Sequence, residues 1–219
     1  MEHWRKTVDT ASQLSRPAHG RRGQTSASIQ PAWVRITHWL NAIAVIIMVM
    51  SGWRIYNASP LFGLHFPNGI TLGGWLGGAL QWHFAAMWLL VANGLFYLLM
   101  NALTGRFRRR FLPLSVPAAL RDIAAALRGR LAHPDLAEYN AAQKAMYLGV
   151  VVVIVVTVLS GLAIWKSVQF PLLRELMGGY DAARWVHFVC MSAIVLFIVV
   201  HVAMVALVPR TLLIMLRGR

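Results

Sequence analysis

The chain holds a single cysteine among its 219 residues, Cys190. That excludes an internal disulfide, a thiolate-rich zinc site and a cysteine-held iron–sulfur cluster. It also excludes covalent haem attachment, because no Cys-x-x-Cys-His run occurs. Acids are scarce, seven Asp and Glu against 21 Lys and Arg, and none lies inside the long apolar stretches. A hydrolytic zinc centre wants a carboxylate beside an open coordination position, and proton-coupled carriers use intramembrane carboxylates. Charged residues of both signs make up only 13% of the chain, where soluble domains carry about 25%. Cys190 itself reads as a small packing residue.

What fills the chain is apolar: 58% of residues are hydrophobic. Four stretches, 36–56, 76–103, 146–165 and 185–208, approach or exceed the roughly 20 residues that cross a bilayer as helix. The expected fold is all-α, an integral membrane four-helix bundle forming one domain over residues 33–210, with no separate soluble domain. Residues 1–32 are polar and read as a disordered cytoplasmic tail. The Arg21-Arg22 pair suggests a twin-arginine export signal, but the apolar stretch after it is long and no small-residue cleavage site follows, so a cytoplasmic tail is the expected reading. Between spans two and three, Leu120, Ile123, Leu127 and Leu131 recur at helical spacing with Arg121 and Arg128 between them. That pattern predicts an interfacial helix over about 114–130. Residues 57–75 are rich in Pro and Gly and carry no charge, so this outer loop is expected to be irregular, either dipping towards the membrane or presenting an apolar docking face.

The cations set the orientation. The first tail, the middle loop with its flanks and the C-terminus hold 17 of the 21 Lys and Arg, leaving Arg54, Lys166, Arg174 and Arg184 on the other side. The positive-inside rule then puts both termini in the cytoplasm. The net charge of +14 is a topology signal; a nucleic-acid partner would need a soluble basic surface.

Four histidines lie within the apolar segments. His187 and His201 are fourteen residues apart on one of them, close to four turns, so they share a face and stand about 21 Å apart along the axis. His38 and His83 lie on two other segments. With the N-terminus inside, His38 is near the inner start of span one and His201 deep in the inner half of span four. His83 and His187 fall in the outer half. Depth therefore pairs His38 with His201 and His83 with His187. A lone intramembrane histidine is often an interhelical hydrogen-bonding residue, but two depth-matched pairs suit two six-coordinate haems built for electron transfer. Gly52, Gly94, Ser160 and Gly161 either let a porphyrin face approach the backbone or serve ordinary small-residue helix packing. His3, His19, His65 and His133 lie outside the spans and receive no ligand role.

Arg35-Ile36-Thr37-His38-Trp39-Leu40-Asn41 resembles the Arg-x-x-His-Trp-x-Asn start of the first helix in bacterial cytochrome b561-type membrane subunits, a superfamily that includes the cytochrome b subunits of NiFe hydrogenase, formate dehydrogenase and thiosulfate reductase. The span-by-span histidine layout matches that superfamily over about residues 31–210. Asn140-Ala141-Ala142-Gln143-Lys144 resembles its formate dehydrogenase and thiosulfate reductase branch. The resemblance implies a protein carrying two b haems, His38 and His201 ligating the inner iron and His83 and His187 the outer. It also implies electron transfer between membrane quinone and a periplasmic redox enzyme or cytochrome.

Arg35 and Arg184, one turn before His38 and His187, either pair with haem propionates or anchor helix ends at the interface. Asn140, Gln143 and Lys144 open span three near the inner haem, where they either hydrogen-bond a quinone carbonyl or cap and anchor the helix. A second reading is a stand-alone superoxide:quinone oxidoreductase, with Arg54, Lys166, Arg174 and Arg184 as a cationic funnel. A third is a metal-ion carrier using the histidines as a pathway. Lipid is a partner in every case, and a homo-oligomer is compatible with each.

Overall fold

The computed structural model describes residues 30–106, 115–128 and 141–218. Of the expected tail at 1–32, residues 1–29 lie outside the described residues, as does Asn140. Every regular element described is helical: α1 (Ala32–Ala58), a short 3₁₀ turn (Asn68–Ile70), α2 (Leu76–Leu103), α3 (Val116–Leu127), α4 (Ala141–Trp165), α5 (Pro171–Leu176), α6 (Tyr180–Leu207) and α7 (Arg210–Arg217).

Four of these, α1, α2, α4 and α6, are long and apolar enough to cross a membrane. At 27 residues α1 is about 40 Å long, more than the hydrocarbon core needs. None of the four has a polar face, whereas α3 and α7 are strongly amphipathic. A helix that is apolar all round must be surrounded by apolar matter.

The interior and exterior are sorted by size. Ala44, Ser51, Ala79, Ser160, Ala163 and Ala183 are fully buried, while Trp88, Leu95 and Leu196 are more than 60% exposed. Small residues let the backbones approach and large ones meet the acyl chains, which is how helices pack in lipid. Three of the four long helices start several residues earlier than their apolar stretches: α1 at Ala32, α4 at Ala141 and α6 at Tyr180. Arg35, Lys144 and Arg184 belong to these extra turns, where a long side chain keeps its charge at the interface while its backbone stays helical.

Two antiparallel hairpins result. α1 packs along α2 and α4 along α6, while the backbones of the two hairpins rarely come together. Asn93, buried on α2, clamps the first hairpin by donating to the Thr37 carbonyl (2.8 Å) and to Asn41 Oδ1 (2.7 Å). α3 lies against α4, and its Asp122 carboxylate accepts from the first two backbone N–H groups of α4, Ala141 at 2.9 Å and Ala142 at 3.4 Å. A carboxylate there satisfies orphan donors and meets the positive end of the helix dipole.

The turn between α5 and α6 depends on glycine. Gly178 and Gly179 have φ of 85° and 93°, a region that other residues avoid. At Gly73 (φ 105°) a Cβ would lie 2.4 Å from the backbone of Ala79.

The outer loop is irregular but held firmly. Asn57 exchanges two hydrogen bonds with the Phe66 backbone (2.8 and 2.9 Å), and Leu72 N–H donates to the Met50 carbonyl. Phe66 stacks on Trp53 at 4.8 Å, Phe62 on Trp185 at 5.8 Å, and Tyr56 on Phe188 at 5.1 Å. The loop is thus an aromatic lid joining α1 to α6.

A paired-histidine site between two helix hairpins

α6 presents His187 and His201 along one side. His187 faces His83 of α2, ring centroids 6.4 Å apart and planes at 62°. His201 faces His38 of α1, centroids 6.1 Å apart and planes at 61°. These are the two pairs that depth alone names. His65, exposed in the outer loop, is remote from both in sequence and has no part in either pair.

The outer rings are gripped through one nitrogen each. Ser51 Oγ donates to the Ile47 carbonyl (2.6 Å), so at its 3.0 Å contact with His83 Nδ1 it accepts. At the other ring, Nδ1 of His187 lies 3.0 Å from the Thr157 carbonyl and 3.1 Å from Ser160 Oγ. A carbonyl only accepts, so His187 carries its proton on Nδ1. Both outer imidazoles thereby turn Nδ1–H to the neighbouring helix of their own hairpin and keep Nε2 for the space between the pair. Gly52 and Gly161 make room: a Cβ on Gly52 would meet His83 Cε1 at 3.4 Å, and one on Gly161 would meet His187 Cε1 at 3.1 Å. These two glycines and Ser160, read from sequence as small residues for porphyrin approach or packing, are turned towards the histidines. A Cβ on Gly94 would meet nothing within 4 Å.

The two grips are copies of one device. Val49-Met50-Ser51-Gly52-Trp53-Arg54-Ile55 on α1 and Val158-Leu159-Ser160-Gly161-Leu162-Ala163-Ile164 on α4 share Val-x-Ser-Gly-x-x-Ile. His83-Phe84-Ala85-Ala86-Met87 on α2 and His187-Phe188-Val189-Cys190-Met191 on α6 share His-Phe-x-x-Met. The chain is an internal repeat of two hairpins running in the same direction. The repeat breaks at the inner layer, where Tyr147 and Tyr97 occupy the positions equivalent to His38 and His201. Sequence reasoning by single residues passed over Ser51 and Thr157; the duplicated motif is the signal that marks Ser51, whereas Thr157 lies just before the motif and is not marked by it.

The inner rings are held differently. His201 stacks on Phe197 one turn earlier (5.6 Å, 15°), and His38 meets Trp39 edge-on. Among the described residues, no hydrogen bond to the ring nitrogens of either is found. Arg35 donates through Nη1 to the Leu216 carbonyl at 2.8 Å, and Trp39 Nε1 donates to that of Met215 at 3.4 Å. The start of α1 thus holds the C-terminal carbonyls of α7, where a cation is favourable. Arg35 Nε is buried without a partner among the described residues. Arg184 donates to the Ser59 carbonyl at 2.5 Å and lies 3.8 Å from Asp181. Gln143 is exposed and Lys144 half-buried on the first turn of α4. The Asp122 carboxylate sits on that turn.

The other outer cations are also engaged. Arg54 donates to Asn68 Oδ1 (2.6 Å) and to the Gly74 carbonyl, Arg174 pairs with Glu175, and Lys166 lies over the Trp165 ring. Among the described residues no three His, Cys, Asp or Glu side chains gather as a metal site.

Two imidazoles bound through one metal at roughly 2.0–2.1 Å each, with about an ångström more from nitrogen to ring centre, have centroids roughly 6 Å apart. The observed 6.1 and 6.4 Å match that span in both layers. Paired neutral imidazoles with nothing further to coordinate fit the axial positions of b-type haem.

The comparisons agree with this chemistry. The family profile described as prokaryotic cytochrome b561 matches residues 29–218. A proposed protein-methionine-sulfoxide reductase subunit, YedZ1 of Azospira oryzae, is 63% identical over 191 residues, covering 87% of this chain and 96% of that protein. No solved structure matches. With its family profile spanning all four long helices and both histidine pairs, the chain belongs to the prokaryotic cytochrome b561 family.

Proposed function

We propose that the protein is the membrane electron-transfer subunit of an oxidoreductase, holding two b haems and linking the quinone pool to a redox partner on the outer face. The observation that carries the reading is the pair of histidine gaps, 6.1 and 6.4 Å between centroids, set fourteen residues apart on α6. His38 and His201 hold the inner group and His83 and His187 the outer. Six-coordinate haem supplies reversible one-electron transfer without an open position for oxygen. The separation of about 21 Å between layers reaches over much of the bilayer's hydrocarbon depth. Both termini are cytoplasmic by the cation distribution, and the membrane is the bacterial inner one.

The relative's name suggests the partner: a reductase acting on methionine sulfoxide in proteins. Reducing a sulfoxide to the thioether consumes two electrons and two protons and releases the oxygen as water, so such an enzyme needs an electron supply. Quinone reacts at the inner end, where Gln143 and Lys144 on α4, with Asn140 before them, offer hydrogen-bond donors to a carbonyl gaining negative charge. Arg35 and Arg184, each one turn before a ligand histidine, are the candidates to meet haem propionates with the guanidinium nitrogens that they do not give to the Leu216 and Ser59 carbonyls.

The test is haem analysis of the detergent-purified protein. It should contain two non-covalent b haems per chain, both low-spin, and both reducible by a quinol analogue. One haem or none in well-folded protein would overturn the reading.

A further inference from the structure

We infer that Ser51 and Ser160 are positioning residues that set the electronic character of the outer haem's ligands, a task that the inner ligands lack. The inference rests on the proposed haem ligation by His83 and His187.

The geometry is duplicated. Each serine sits immediately before a glycine, is fully buried, and gives its own proton to a carbonyl of the preceding turn: Ser51 to Ile47 at 2.6 Å, Ser160 to Thr157 at 3.0 Å. With its proton so committed, each hydroxyl offers a lone pair to the Nδ1–H of a histidine, at 3.0 Å for His83 and 3.1 Å for His187. The helix carbonyl therefore polarises the hydroxyl, and the hydroxyl polarises the imidazole. At His187 the Thr157 carbonyl also accepts from the ring directly, at 3.0 Å.

Two consequences follow from general ligand chemistry. The bond at Nδ1 fixes the tautomer and ring direction, leaving Nε2 as the coordinating nitrogen. It also draws the Nδ1 proton away, which makes the ligand a stronger electron donor and favours ferric over ferrous iron. Both residues that would hold the outer haem, His83 and His187, carry such an acceptor, so both would push the same way. Among the described residues no hydrogen bond to a ring nitrogen of His38 or His201 is found, and each ring meets an aromatic neighbour instead, so the inner haem would lack this push.

A burial-only role for the serines, as small residues admitting close helix contact, predicts something else. Alanine would serve as well, and the potentials would stay put.

The experiment is a redox titration of the full-length protein in detergent, repeated in a His38→Ala background so that the remaining haem is the outer one. The variants are Ser51→Ala, Ser160→Ala, the double alanine variant, and Ser51→Cys, which keeps the size with a weaker hydrogen-bond partner. The outer haem's midpoint should move to more positive potential in each single alanine variant and furthest in the double. Ser51→Cys should fall between wild type and Ser51→Ala. The inner haem's midpoint should hold still throughout. Should Ser51→Ala lose its haem, the Ser51→Cys shift carries the test by itself. Unmoved potentials in the variants with two haems bound, or equal shifts in both haems, would overturn the inference while leaving the haem assignment standing. Wild-type protein without haem would overturn the assignment beneath it.

Discussion

At the outer layer, both imidazoles are tied through Nδ1 to the neighbouring helix of their own hairpin, His83 to Ser51 and His187 to Thr157 and Ser160. At the inner layer the rings rest on aromatic neighbours, and order comes from the helices that carry them. Asn93 binds the Thr37 carbonyl and Asn41, flanking His38 on either side, and Arg35 and Trp39 hold the end of α7. One layer fixes the ligand atoms themselves and the other fixes the backbone beneath them. Direct bonds set ring direction and donor strength together, whereas backbone clamping sets position alone. Similar gaps of 6.4 and 6.1 Å are therefore reached by two routes.

The strongest way to break the comparison is to remove ligands. His38→Ala and His201→Ala should each abolish the same inner haem and leave the outer one spectroscopically intact, while His83→Ala and His187→Ala should do the reverse. Haem per chain would fall from two to one in every case, read by pyridine extraction and redox titration. If His38→Ala and His83→Ala depleted the same haem, the pairing would be wrong.

Crowding the cradle sharpens the comparison next. A Cβ at Gly161 already stands 3.1 Å from His187 Cε1, tighter than the 3.4 Å at Gly52 from His83. Gly161→Leu should displace the ring and deplete the outer haem, with Gly161→Ala giving a smaller loss and Gly52→Ala smaller again. The inner haem should survive in all three, and its loss alongside the outer would show that the layers are not independently held.

The smallest effect belongs to the inner clamp. Asn93→Leu removes both of its interhelical hydrogen bonds, and such bonds in membrane proteins are worth about 0.6 kcal/mol on average and up to roughly 1.7. The thermal midpoint in detergent should drop modestly while the outer haem's potential stays unchanged. A change in the outer haem as large as in the inner would mean that the clamp serves both layers.

Much of this was legible in the residues. Four apolar runs of bilayer length, with acids excluded from them, leave no alternative to helices, because an unpaired backbone in lipid is too costly. The His187–His201 spacing and the cation distribution name the two pairs without coordinates. The family match over residues 29–218 agrees with the motif around His38. What was illegible depended on contacts between segments distant in the chain. α5 and α7, six and eight residues long, carry too few residues for a pattern to stand out. Asp122 caps α4 from nineteen residues away. The outer loop looks structureless by composition, yet Asn57 and the aromatic contacts of Phe62 and Phe66 give it form that only packing supplies.

By itself the sequence determined an all-helical membrane chain with imidazoles at two depths, since period, length and hydropathy are local properties. The tertiary structure decided how each imidazole is aimed. Ser51 lies 32 residues from His83 and Ser160 lies 27 from His187, and only the packing of antiparallel helices brings hydroxyl to ring. It also decided that Gly52 and Gly161 serve the histidines, because a missing side chain acquires meaning only from the atom that takes its place.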